Sequence, residues 1–211
     1  MVPAFINLDM KENKRITDPV PRQYSGSQMD AVEKREFETA VEADKHFQTA
    51  CSRLLSVNRW GEYAGLSEFV LIDESGDRIE RLAREGDYIR IDIPGPGTQT
   101  GKGYDWVKIT EIIHSDELHE SFLSMTVRPC KRPNPENDAI AHFLKKDATS
   151  TFIVKKQGLS ILAEEHGRNE MPNTSDGSLY DKGRNFMVGM AAKIGLSYPQ
   201  WKSLVKAFLS D

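Results

Sequence analysis

The stretch "LYDKGRNFMVGMAAKIGLSYPQWKSLVKAFLSD", Leu179 to Asp211, decides how the chain folds. Phe186, Met187, Met190, Ala191 and Ile194 recur at helical spacing and make one apolar face. Gly195 is a fitting stop. Ser197 then caps a second helix with Pro199 in its first turn, where a missing N–H costs little. Trp201, Leu204, Val205 and Phe208 form the stripe of that second helix. Helices this short are marginal alone and need a surface to lie on, and the residues upstream supply it.

Those upstream residues alternate. "SEFVLID", "DYIRIDI", "DWVKITEIIHS" and "SFLSMTVRP" place apolar residues on one face at period two, as half-buried strands do. "STFIVKK" and "LSILAEEHG" read as a hairpin about Gln157–Gly158. "DAIAHFLKK" reads as one short helix. Earlier, "REFETAVEA" alternates Phe37, Thr39 and Val41 against Glu38 and Glu42, which reads as a strand. Phe47, Ala50, Cys51, Leu54 and Leu55 fall at helical spacing after Asp44 as N-cap, and "SVNRWGEYAG" reads as a second short helix ending at a glycine. Residues 1–34 are polar, with Pro19 and Pro21, and read as an arm; residues 35–195 are the domain, and 196–211 a further helix packing on it or on a partner.

The order is strand, two helices, six strands, helix. That succession, with "VNRWGEYAG" after the first helix, resembles the helix-grip fold of the START-related lipid-transfer and polyketide-cyclase (SRPBCC) superfamily. The resemblance implies an α+β fold, a curved antiparallel sheet of about seven strands wrapping a long C-terminal helix near 180–195, with an internal cavity between them. It also implies binding of a hydrophobic small molecule or lipid there. The long arm, the extra segment at 131–148 and the second C-terminal helix depart from the pattern. With the sheet's concave face filled by helix 180–195, Trp201, Leu204, Val205 and Phe208 are expected to dock on the outside of the domain or on a second copy, the latter giving a two-fold dimer.

Composition limits the alternatives. The 211 residues carry a formal net charge of -4, with 28% charged and 38% hydrophobic residues. No basic run or aromatic-basic stripe suits nucleic acid. No apolar run is long enough to span a bilayer, and the N-terminus lacks a secretory pattern. The two cysteines, Cys51 and Cys130, are far apart and read as reduced thiols of a cytoplasmic protein.

Three segments offer chemistry. "DIPGPGTQTGKGYDW", Asp92 to Trp106, has a Gly-Lys pair, but Pro96 stands where a phosphate loop needs glycine and Gly103 where it needs a hydroxyl. It reads as a connection between adjacent strands that gates the cavity mouth. "EEHGRNEMPNTSDG", Glu164 to Gly177, is the densest polar cluster. If Leu162 faces inward, Glu164 and His166 do too, as candidate acid–base groups, with Arg168 as a ligand-binding candidate. The competing reading is a strand end running into a solvated loop. Glu111 is the third, an inward carboxylate if its strand is regular, outward if a bulge intervenes. Trp60, Tyr63, Phe69 and Trp106 are pocket-lining candidates, or simply core. The five histidines lack metal-ligand spacing, "HSDELH" reads as a hairpin turn, and no cofactor is expected. The function classes left are hydrophobic-ligand binding, a cyclase- or hydrolase-type enzyme, and an interaction module with a filled cavity.

Overall fold

The structure is a computed structural model that describes residues 18–65, 67–95, 97–117, 120–134, 138–175, 177–193 and 198–211; of 64, 187 and 189–193 only the backbone is described. Residues 1–17 of the arm, the cap Ser197, and the side chains of Met187, Met190, Ala191 and Ile194 lie outside the described residues.

Strand β1 (Ser27–Glu36) is followed by α1 (Ala40–Leu55), a 3-10 turn and α2 (Trp60–Ala64). Six strands come next: β2 (Glu68–Ile72), β3 (Tyr88–Asp92), β4 (Asp105–Asp116), β5 (Glu120–Pro129), β6 (Thr149–Gln157) and β7 (Ser160–Glu170). Helices α3 (Leu179–Lys193) and α4 (Tyr198–Phe208) close the chain. All strands pair antiparallel in one curved seven-stranded sheet, ordered β1-β7-β6-β5-β4-β3-β2, an α+β helix-grip architecture.

Sequence and structure part company at the first strand. Only Arg35 and Glu36 of "REFETAVEA" are strand, and Ala40–Ala43 already belong to α1, because Thr39, not Asp44, is the N-cap. Its hydroxyl accepts from the Glu42 N–H while the Glu42 carboxylate accepts from the Thr39 N–H, a complete capping box. The strand lies earlier, and Ser27–Lys34, read as part of the arm, are β1. Asp44 instead pairs with Lys156 on β6. Helix α2 ends as expected, at Gly65 in the left-handed conformation. "DAIAHFLKK" forms no helix; it runs as irregular chain with one bridge, Leu144 to Pro172.

The helix on the concave face is α4, and this corrects the expectation for 180–195. Leu204, Val205 and Phe208 are buried with Phe47, Ala50 and Leu54 of α1, and with Phe69, Leu71, Ile89, Ile109, Met125, Phe152 and Ile161 of the sheet. Helix α4 touches β1, β7, α1 and α2. Trp60 sits at the centre, its ring centroid 4.7 Å from Phe152, 5.6 Å from Phe69 and 5.9 Å from Phe208. Trp201 lies 5.6 Å from Phe152 and 6.3 Å from Phe69. The stripe that was to seek an outer surface or a second copy is therefore spent inside its own domain, which removes the motive for the dimer. Arg53 and Arg35 donate to carbonyls at and just beyond the end of α4, Arg53 to Phe208 and Ser210, Arg35 to Leu209, satisfying acceptors that a helix end leaves open.

Helix α3 is held by polar groups instead. Asp181, Arg184 and Asn185 are buried, while Phe186, expected on its apolar face, is exposed. Arg184 and Asp105 form a buried ion pair, and Asn185 donates to the carbonyls of His142 and Asn173. These contacts tie α3 to β4 and to the segment around 140–144, which covers the other face of the sheet beside Trp106 and Ile72. Burial pushes the His142 imidazole down to about 4, with Leu144 N–H donating to its Nδ1.

Candidate functional site

Strand β7 carries the most informative chemistry, and its alternation sorts it. Ile161, Ala163, Glu165, Gly167 and Asn169 are buried, whereas Leu162, Glu164, His166 and Arg168 between them are only half-buried. Ile161 and Ala163 belong to the core under the helices. Leu162 therefore faces outward, and Glu164, His166 and Arg168 go with it. The register differs by one residue from the inward reading, and at period two that exchanges the faces of every side chain.

On the outer face these residues form a closed network. His166 Nδ1 lies 2.5 Å from Asp30 Oδ1, and Nε2 lies 2.7 Å from Glu164 Oε2. Arg168 Nη1 is 2.7 Å from the same Asp30 oxygen and also donates to the Met29 and Gly167 carbonyls. Burial works to discharge His166, but the hydrogen bonds it donates to Glu164 and Asp30 prevail and raise its pKa above 6.5. Asp30 is correspondingly lowered, the bonds from His166 and Arg168 outweighing burial. Each ring nitrogen is engaged, so the cluster fastens β1 to β7 rather than offering a free base.

The inward residue is Glu165. It is 0% exposed, and among the described residues neither of its carboxyl oxygens has a hydrogen-bond partner. Its cross-strand neighbours are Ala31 on β1 and Phe152 on β6. Burial pushes its pKa well above 4.5, the Glu170 carboxyl adds to the rise, and the Ser150 hydroxyl offsets part of it. Glu170 comes close because the chain bends at Asn169, whose φ is 57° and whose side chain accepts from the Tyr24 and Ser25 N–H groups. A Cβ on Gly167 would stand 2.6 Å from Glu170 Oε1, so only glycine lets that carboxyl lie on the strand there. Glu170 is itself raised, by burial first, against a hydrogen bond from Ser27. Glu165, beside Ala31 and Phe152, and Glu170, over Gly167, are thus near enough for each charge to disfavour the other. Residue-type patterns had pointed to Glu164 and missed Glu165; the signal that locates it is the parity of Ile161 and Ala163.

The other candidates fall elsewhere. A bulge between Ile109 and Glu111 turns Glu111 outward, opposite Thr126, where it is exposed. Trp60 and Phe69 are core; Tyr63 packs at its margin under Arg59. Trp106 lies on the opposite face, its indole donating to the Gly101 carbonyl. The Gly-rich connection does join β3 to β4, and it does bind a carboxylate, that of Asp181. The Gln99 N–H donates to it at 2.7 Å, and the Thr100 N–H and hydroxyl at 3.1 and 2.6 Å. Asp181 is lowered by these bonds despite burial. The loop's donors are engaged with α3, which speaks against a freely swinging gate. Both thiols are free, and burial pushes each up to about 12.

A recess of about 330 Å³ between Asp73, Arg81, Arg84 and Glu85 is polar and unsuited to an apolar guest. Among the described residues no group of three or more His, Cys, Asp or Glu is placed to hold a metal ion, and no helix is long and apolar enough to cross a membrane. His119 of the "HSDELH" turn lies outside the described residues.

No protein-family model matches the chain, and no curated protein matches it. Solved structures similar in outline include hypothetical protein jhp0584 from Helicobacter pylori, at 9% identity and a TM-score of 0.49, covering 87% of this chain and 88% of that one. Norcoclaurine synthase from Thalictrum flavum is similar at 11% identity and a TM-score of 0.38, covering 90% and 99%. Ara h 8.0201 is similar at 10% identity and a TM-score of 0.32, covering 88% and 100%. Likeness at this level carries no argument about activity, and the chemistry must come from the chain's own residues.

Proposed function

We propose that the protein binds a hydrophobic small molecule or lipid between its curved sheet and its helices, with Glu165 as the polar group of the site. One observation carries this reading: a fully buried carboxyl without a partner, set in an apolar face. Leaving such a group unbonded costs about 1–3 kcal/mol, and native interiors rarely tolerate it without a use. A mostly apolar concave face with a few polar groups is the usual form of a small-molecule site.

A second reading has its own support. Two neighbouring carboxyls with raised pKa values suit acid–base catalysis near neutral pH, so a cyclase- or hydrolase-type enzyme would draw on Glu165 and Glu170. The aromatic cluster of Trp60, Phe152, Trp201 and Phe208 packs under α4, which supports a guest at the Glu165 end rather than among these rings.

The test is native mass spectrometry of protein purified from cells, followed by titration with apolar probes while the amide resonances of Ala31, Phe152 and Glu165 are followed. A co-purified adduct that Glu165→Met loses supports the reading. Protein free of adduct, with no shift at those amides for any apolar probe, overturns it.

A further inference from the structure

If a guest binds at Glu165, the surroundings also specify its polar end. We propose that the ligand is a lipophilic amine, its ammonium group held between the Glu165 and Glu170 carboxyls and its apolar body lying beside Ala31, Ala163 and the edge of Phe152. This rests on the binding reading above and names the class of ligand.

The inference starts from the donor and acceptor inventory. Among the described residues neither carboxyl has an ion pair with lysine or arginine: Arg168 is turned to the outer face with Asp30, Lys202 pairs with Glu33, and Arg184 with Asp105. The site therefore presents two carboxyls and no cation of its own, with the Ser150 hydroxyl near Glu165. Glu170 receives one hydroxyl, from Ser27 at 3.5 Å, and Glu165 receives nothing of hydrogen-bond geometry. An ammonium brings three donors and no acceptor, which matches two carboxyls that lack donors. A ligand carboxylate would bring a third negative group into a buried place that already disfavours two. A hydroxyl satisfies one carboxyl and leaves the other.

The walls agree. Ala31 and Ala163 carry only methyl groups beside Glu165, and Gly167 carries none, so nothing bulky stands on the sheet between the two carboxyls and the core. Phe152 is the direct cross-strand neighbour of Glu165, and Trp201 meets Phe152 in an edge-on contact at 5.6 Å. Aromatic faces attract organic cations, more so where water is excluded. A charged group is tolerated in such a place when it is paired, and the amine supplies the pair.

The experiment compares matched probes on the full chain: 1-octylamine, 1-octanol and octanoate, each below its micelle concentration, titrated by calorimetry at neutral pH. The expected order is octylamine tightest, about tenfold or more over octanol, with octanoate weakest. Glu165→Gln should weaken octylamine about thirtyfold while changing octanol little. Glu170→Gln should act in the same direction by a smaller factor. Should Glu165→Gln fail to fold, the probe order on the unaltered protein still decides. Octanol or octanoate binding as tightly as octylamine overturns the amine inference and leaves the binding reading standing. No binding by any of the three overturns both.

Discussion

Arg184 on α3 and Asp105 at the start of β4 form a two-bonded ion pair, Nη2–Oδ2 at 2.5 Å and Nη1–Oδ1 at 3.0 Å, with side chains only 3% and 1% exposed. Asp105 also accepts from the Phe143 N–H. The pair joins helix, strand and the covering segment at one point. Removing the carboxylate strands a buried guanidinium, so Asp105→Ala should destabilise by about 3–5 kcal/mol. Replacing both with apolar residues should cost much less. Urea unfolding of the single and double variants checks this, and an equal loss in both would refute it.

Glu165→Met should raise stability in the absence of ligand by about 1–3 kcal/mol, since it exchanges an unbonded buried carboxyl for an apolar chain of similar size. The pH dependence should change too. With its folded pKa raised above 4.5, Glu165 keeps its proton in the ligand-free folded chain between pH 4.5 and that raised value, where the unfolded chain is ionised. The folded state then binds more protons, and stability falls as pH rises from 4.5 through the folded value. The variant should lose that part of the slope. Thermal melts from pH 4 to 8 measure it, and a steeper slope in the variant would contradict the assignment.

His166 works with the same sign from the outer face. Its pKa is raised above 6.5, so its contribution is fully present below 6.5 and is lost as pH rises through the folded value. In an imidazole NMR titration its midpoint should lie above 6.5, and Asp30→Asn should bring it down. A midpoint at or below 6.5 in the unaltered protein would mean that burial outweighs the two carboxylates.

Thr39→Ala should cost about 1 kcal/mol by opening the capping box of α1. Thr39→Ser should cost far less, because the hydroxyl that accepts from the Glu42 N–H is kept. Chemical denaturation of both variants separates a capping effect from loss of the threonine methyl.

Trp201→Ala should destabilise by about 3 kcal/mol, because the indole lies between Phe69 and Phe152 in the chain's own core. A fully soluble variant with unchanged stability would show that α4 does not grip the sheet.

Periodicity by itself determined a good deal. Six of the seven strands, the short helix ending at Gly65 and the succession that leads to an α+β helix-grip sheet follow from alternation, stop signals and their order. Those signals are local, and each records the burial of one face. Tertiary structure decided what locality cannot encode. Both C-terminal helices showed an apolar stripe, and the competition for one concave surface went to α4, while α3 was fixed through Asp181, Arg184 and Asn185 to partners as distant as Gln99 and Asp105. The bulge before Glu111 turned that carboxylate outward, and no residue type announces it. At Glu164 and Glu165 the sequence offers two adjacent carboxylates. Which one enters the core depends on whether Ile161 or Leu162 faces the helices, and that is settled by pairing with β1 and β6. A period of two leaves the phase free, and only the packed sheet fixes it.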